Sequence, residues 1–330
     1  MTSERFQPFP LITLWALVES GLGGFMHALH LPFTGIVLGG FSVLIISLLA
    51  QAEEKPFSGI LRAMLIVIAV KASVNPASPP TAYLAVAFQG ISGAFLLTLR
   101  PRNAVLSFLF AVIAMLESAL QKLLVLTILF GTEWGKAVED YLQATAKLLH
   151  LTPQTNFTYI LIGVYLALFA VWGIVLGLWI HRLPAQLAVR ANLYKEIKPE
   201  VVILAENKGK KPKRSLYFIL IISVLLFWGF YLTPQNTLMN ALFPLFRTLL
   251  ILSLWIFVLL PIWKKIIQRW LASRKDQNPE IAKTLVQMQM LTPYLKPLYR
   301  HASQHFRGIQ KWKEFTLSLI VIALIKDEKP

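Results

Sequence analysis

Apolar residues gather along the chain in eight stretches, roughly 11–29, 33–50, 58–72, 81–99, 104–130, 157–180, 215–233 and 242–263. A helix that crosses the hydrocarbon of a bilayer needs about 20 mostly apolar residues. The third stretch is short and carries Arg62 and Lys71, whereas the fifth is long enough to tilt. The pattern predicts an all-α, polytopic membrane protein of about eight transmembrane helices.

The joints are as telling as the spans. Leu29 to Gly35 joins the first two spans with almost no polar linker, and Ser73–Thr81 is stiffened by Pro76, Pro79 and Pro80. Trp134, Val138, Tyr141, Leu142, Leu148 and Leu149 predict a short helix on the outer surface within 131–156. After the last span, basic and apolar residues alternate at helical spacing from 264 to 313, broken by Pro279, Pro293 and Pro297. Two or three amphipathic helices at the inner surface are expected there, lying on anionic lipid or docking a cytosolic protein. Residues 315–325 are apolar but too short to span, so they should pack on the other helices or on lipid. The chain divides into a six-span domain (1–180), a basic cytoplasmic linker (181–214), a two-span hairpin (215–263) and basic amphipathic helices (264–330).

Composition agrees. Of 330 residues, 56% are apolar and 15% charged, too little charge for a water-facing surface. Lys and Arg number 32 against 16 Asp and Glu, a net charge of +16. In so apolar a chain that excess points to lipid or an acidic partner, not to nucleic acid. It is also uneven: residues 1–180 hold nine basic and eight acidic residues, residues 181–330 hold 23 and eight. Cysteine is absent, which removes disulfides, thiolate metal sites and a cysteine nucleophile. Only Arg5 precedes the first apolar stretch as a basic residue, and no small-residue cleavage site follows, so a retained span is expected.

Orientation follows from Lys and Arg in the loops. Segment 181–214 carries nine, so it should be cytoplasmic, as should 264–313. Counting back places both termini inside. The outer connections then carry only Lys136 and Lys147. A multi-pass protein of the cell inner membrane is expected.

Equipment for several chemistries is missing. Gly131-Thr-Glu-Trp-Gly135-Lys136-Ala137 has the wrong spacing for a phosphate-binding loop. No His-Glu-x-x-His, Gly-x-Ser-x-Gly or aspartate-rich pair occurs, so neither an enzyme nor a cofactor is indicated.

Ionisable groups inside a span are costly and default to functional candidates. Glu19 lies midway along the first span, and His27 and His30 end it. Lys71 ends the third, beside Asn75; Gln89 is midway along the fourth; Glu117, Gln121 and Lys122 fall in the second half of the fifth. The expected substrate pocket opens outward and is lined by Glu117, Gln121, Lys122, Lys71, Asn75, Gln89, His27 and His30. The structural alternative pairs Glu117 with Lys122 and leaves the histidines as headgroup anchors. A metal site at the two histidines lacks an identifiable third ligand. Ala16, Ser20, Gly24 and Ala28 form a row of small residues, which lets helices approach closely, inside the bundle or against another subunit.

The run Glu19-Ser-Gly-Leu-Gly-Gly-Phe-Met-His-Ala-Leu-His-Leu-Pro-Phe-Thr-Gly35, with Pro79-Pro80-Thr81-Ala-Tyr-Leu-Ala-Val-Ala-Phe-Gln89-Gly90, resembles the substrate-binding S component of energy-coupling factor (ECF) importers over residues 1–180. The resemblance implies an outward-facing pocket for a vitamin-like molecule or metal, and separate ATPases that supply the energy. It also implies that Ala16, Ser20, Gly24 and Ala28 touch a membrane coupling subunit. Residues 181–330 depart from an S component and are distantly similar to that coupling subunit, with Phe306-Arg307-Gly308 nearest to its small-Arg-Gly signature. The competing functions are a membrane scaffold that docks a partner on its basic inner face, and a lipid or isoprenoid enzyme.

Overall fold

The computed structural model describes residues 7–28, 34–75, 78–99, 103–148, 156–190, 199, 249–251, 253–259, 261–262, 265–266, 269 and 279–326. The described residues are helical and contain no strand. α1 (Pro8–Leu17), a π-helical turn (Val18–Leu22) and α2 (Gly23–Ala28) make the first apolar rod. α3 (Thr34–Ala52), α4 (Pro56–Val74), α5 (Pro80–Leu99), α6 (Ala104–Phe130) and α8 (Phe157–Arg190) are each long and apolar enough to cross a membrane. α7 (Glu133–Leu148) lies between the last two, and α9 (Pro279–Leu291), α10 (Leu295–His305) and α11 (Gly308–Lys326) follow. The first six expected spans thus coincide with helices. The seventh lies outside the described residues, and of the eighth only part is described, including a π turn at Trp255–Leu259.

Two compact units emerge. The first comprises the described residues of Met1–Ser118, Phe169–Ala205 and Ile267–Pro330. At its centre is α1, whose residues from Pro10 through the π turn to Ser20 are all buried. A helix that is apolar on every side belongs in a protein core or in a membrane, and α3, α4, α9 and α11 pack around this one. α3 is similarly buried from Leu38 to Ala50. α5 has two faces. Tyr83, Val86, Gln89, Gly90, Gly93, Ala94 and Leu97 point inward, while Leu84, Phe88, Ile91, Phe95 and Leu99 are exposed. An outward stripe of that size is a liability in water and ordinary against lipid.

The C-terminal helices α9, α10 and α11 belong to this unit. Thr13 Oγ1 donates to Gln287 Oε1 at 2.8 Å, and Arg62 bridges Glu53 and Glu280 at 3.4 and 3.5 Å. On α11, every residue from Thr316 to Ala323 is buried: an apolar run too short to span has become core beside α1. α8 continues unbroken to Arg190, whose guanidinium makes a two-pronged ion pair with Glu314 at 2.8 and 3.0 Å. Gly308, in the left-handed region at φ 57°, turns the chain from α10 into α11.

Glycines set the closest helix contacts. A Cβ on Gly173 would stand 2.8 Å from Val112 Cα, and one on Gly177 2.8 Å from Phe108 Cα. α8 therefore meets the α6 backbone directly, through a small-residue pair four apart.

The second unit comprises the described residues of Ala119–Leu168 and Glu206–Ile266. Gly131, at φ 72°, ends α6 with its amide on the Thr127 carbonyl at 2.9 Å. α7 then turns Trp134, Val138 and Leu142 inward, but Tyr141, expected on the same stripe, points outward. Glu139 accepts the amides of Asn156 (3.1 Å) and Thr158 (2.8 Å), the first donors of α8, and Gln143 Nε2 at 2.9 Å. The Thr158 amide, more than any other group, pulls this carboxyl down from 4.5 to about 2. Orphan amides and the helix dipole both favour negative charge there.

Two predictions follow from this packing. Gly173→Ala and Gly177→Ala should each lower stability by about 1–3 kcal/mol, since backbone cannot yield as a side chain can. Gly163→Ala, with nothing within 4 Å of its added carbon, should instead raise it by roughly 0.5–1 kcal/mol. Thermal unfolding in detergent decides, and equal effects at the three positions would refute the contact. The second concerns Glu139. Its depressed pKa means that its contribution is full above 4.5 and fades as pH falls toward 2. Amide protection in the first turn of α8, corrected for intrinsic exchange, should drop over that window in the parent chain. Glu139→Gln should show reduced protection at neutral pH and no such drop.

Candidate functional site

The most polar point of the interior sits where the π turn meets α3, α4 and α5. A π turn inserts one extra residue into a helical turn, and such bulges recur at functional sites. Here it carries Glu19, buried at 5% exposure. Lys71 Nζ, also buried, donates to Glu19 Oε2 at 2.6 Å and to the Ala82 carbonyl at 3.4 Å, and lies 5.9 Å from the centre of the Tyr83 ring. The other carboxylate oxygen accepts Ser42 Oγ at 2.7 Å, and that hydroxyl accepts the Trp15 indole N–H at 3.0 Å. Four helices thus supply one closed network in which both charges are compensated. A buried pair of this kind repays its desolvation only when further hydrogen bonds complete it.

Lys71, expected as a pocket residue, is thus engaged with Glu19. Lys122, the partner that the structural alternative gives Glu117, is exposed, and Glu117 Oε2 has no hydrogen-bond partner. Gln121 and Lys122 fall in the second unit, Glu117 in the first.

Asn75 is part of the same region. Its side-chain nitrogen sits 3.0 Å from where a Cβ on Gly24 would stand. Its carbonyl accepts the Ser78 amide at 3.1 Å and the Tyr83 hydroxyl at 3.4 Å, tying the proline-rich joint to α5. Of the small-residue row, Ala16 and Ser20 are buried and Gly24, half-buried, seats Asn75. The side chains of His27 and Ala28, and all of His30, lie outside the described residues.

A second polar spot lies against Gly39 of α3. A Cβ there would stand 3.2 Å from Gln89 Nε2, 3.3 Å from Ser118 Oγ and 2.5 Å from Met115 Cε. Gln89 is 2% exposed, yet its Oε1 has no partner. Among the described residues, Glu117 Oε2, on the residue before Ser118, and Ser20 Oγ, beside Glu19, are the other buried side-chain atoms in that condition. Among the described residues, no group of three or more His, Cys, Asp or Glu is placed to hold a metal ion.

No protein-family model, curated protein or solved structure matches the chain.

If the Glu19–Lys71 pair holds these helices together, removing one partner should cost far more than removing both. Lys71→Met should lower stability by about 3–5 kcal/mol, and adding Glu19→Gln to it should recover most of the loss. Additive losses in a double-mutant cycle of unfolding measurements would show that the two side chains do not depend on each other.

Proposed function

We propose that the helices from Pro8 to Arg190 form the solute-binding part of an uptake protein of the ECF type, set in the inner membrane with both termini cytoplasmic. Separate ATPases and a coupling subunit would drive it. The substrate is a small organic molecule that presents hydrogen-bond donors. One observation carries this reading: Gln89 Oε1 is an orphaned acceptor in a nearly sealed interior. Leaving such a group unpaired costs about 1–3 kcal/mol, and a donor from a bound molecule removes that cost. Glu117 Oε2 extends the same demand for donors. Glu19 and Lys71 cancel each other, so the substrate need not carry an ionic counterpart to either. Orientation draws on the basic bias of residues 181–214.

A scaffold reading has one observation in its favour, the cationic aromatic face of α9–α11. It predicts a chain that purifies empty. The test is mass spectrometry of the purified protein for a co-purifying small molecule. Gln89→Leu and Glu117→Leu should each release that molecule while leaving thermal stability unchanged or slightly raised, because an orphaned acceptor is removed. An empty parent protein, or full retention in both variants, overturns the proposal.

A further inference from the structure

Between Lys283 and Lys313 the sequence has six Lys or Arg and no Asp or Glu. The two acidic residues that flank this stretch are already engaged, Glu280 by Arg62 and Glu314 by Arg190. The stretch of α9–α11 between them is therefore basic in sequence. Interspersed are side chains that water does not favour. Ile309 is 81% exposed and Trp312 53%, with Tyr299, Val286 and Met290 exposed as well.

Aromatic and basic groups are organised together. The Tyr299, Trp312 and Phe315 rings lie 5.8–6.4 Å apart in tilted and edge-on contacts. Lys311 Nζ sits 5.2 Å from the Tyr299 ring centre and 5.0 Å from that of Trp312, and it donates to the Tyr299 hydroxyl at 3.4 Å. Ile309 stands one turn before Trp312, so it continues the same strip of α11. Aromatic rings with a polar edge, apolar neighbours and lysines with long apolar stems are the mixture that settles at the boundary between headgroups and hydrocarbon. The later half of α11 already runs into the core beside α1, so its first turns emerge at the edge of a membrane-embedded unit.

We propose that the exposed face of α10 and the first turns of α11 is an interface for anionic phospholipid, with Lys311, Lys313 and Arg307 meeting headgroup phosphates and Ile309 and Trp312 entering the acyl boundary. Charge complementarity selects the occupant. A neutral bilayer satisfies the rings but not the cations, and a soluble acidic protein satisfies the cations but leaves Ile309 without an apolar partner.

The chain has no cysteine, so Ile309→Cys provides one unique site for an environment-sensitive fluorophore. The full-length labelled protein is reconstituted in phosphatidylcholine vesicles with and without phosphatidylglycerol. With the anionic lipid, emission should shift to the blue and iodide quenching should fall severalfold. High salt should reverse both, as should Lys311→Glu with Lys313→Glu, whereas Lys136→Glu with Lys147→Glu, the same charge change on α7, should not. Equal exposure in both vesicle types overturns the proposal. So does shielding that survives high salt, or shielding that appears only when an acidic protein is added. The salt titration uses the labelled parent chain, so it remains decisive if a charge-reversal variant fails to fold.

Discussion

A carboxylate and an ammonium cannot sit apart in an interior built of leucine, isoleucine and valine. That constraint organises the first compact unit. Glu19 and Lys71 must meet, so the π turn, α3, α4 and α5 converge where they do. Trp15 and Ser42 complete the pair by occupying the second carboxylate oxygen. The remaining packing then has little freedom. α1 is held at its π turn by the charges, and at its other end Thr13 meets Gln287 and the Phe9 ring meets Lys283 at 4.3 Å.

Much of the fold is legible from hydropathy alone, because a lipid environment allows few alternatives to a helix. The first five apolar stretches fall on helices to within a few residues, and the sixth begins with its helix but stops ten residues short of Arg190. Helix ends are less legible. Helical spacing in residues 184–190 is compatible with a helix but does not show that α8 runs on without a break; the end of the helix is held from outside, by Glu314 pairing with Arg190 across 124 positions of sequence. The run at 315–325 reads as ambiguous for the same reason, since its burial depends on α1.

The polar interior was legible in its members and not in its pairings. Glu117 and Lys122 are close in sequence and oppositely charged, which makes a local pair attractive on paper. The pair that forms joins two helices instead. A charge count contains the clue: within α1 to α5, Glu19 is the one acidic residue inside a helix, and Lys71 and Arg62 are the basic ones, with Arg62 near a helix start. A buried carboxylate there has few possible partners. The orphaned oxygen of Gln89 could not be read in advance, because an unmet hydrogen bond is a property of the surroundings and not of the residue.

The enclosure of α1 has a consequence for biosynthesis. Its walls are α3 and α4, made soon after it, and α9 and α11, made much later; Thr13 and its partner Gln287 are 274 residues apart. As the chain emerges, α1 can satisfy Glu19 early but must wait through the 274 positions that separate Thr13 from Gln287 before its remaining sides are covered. Until then those sides face lipid or whatever assists insertion. The native arrangement is therefore a late event, reached by the return of the chain's C-terminal helices to its first one.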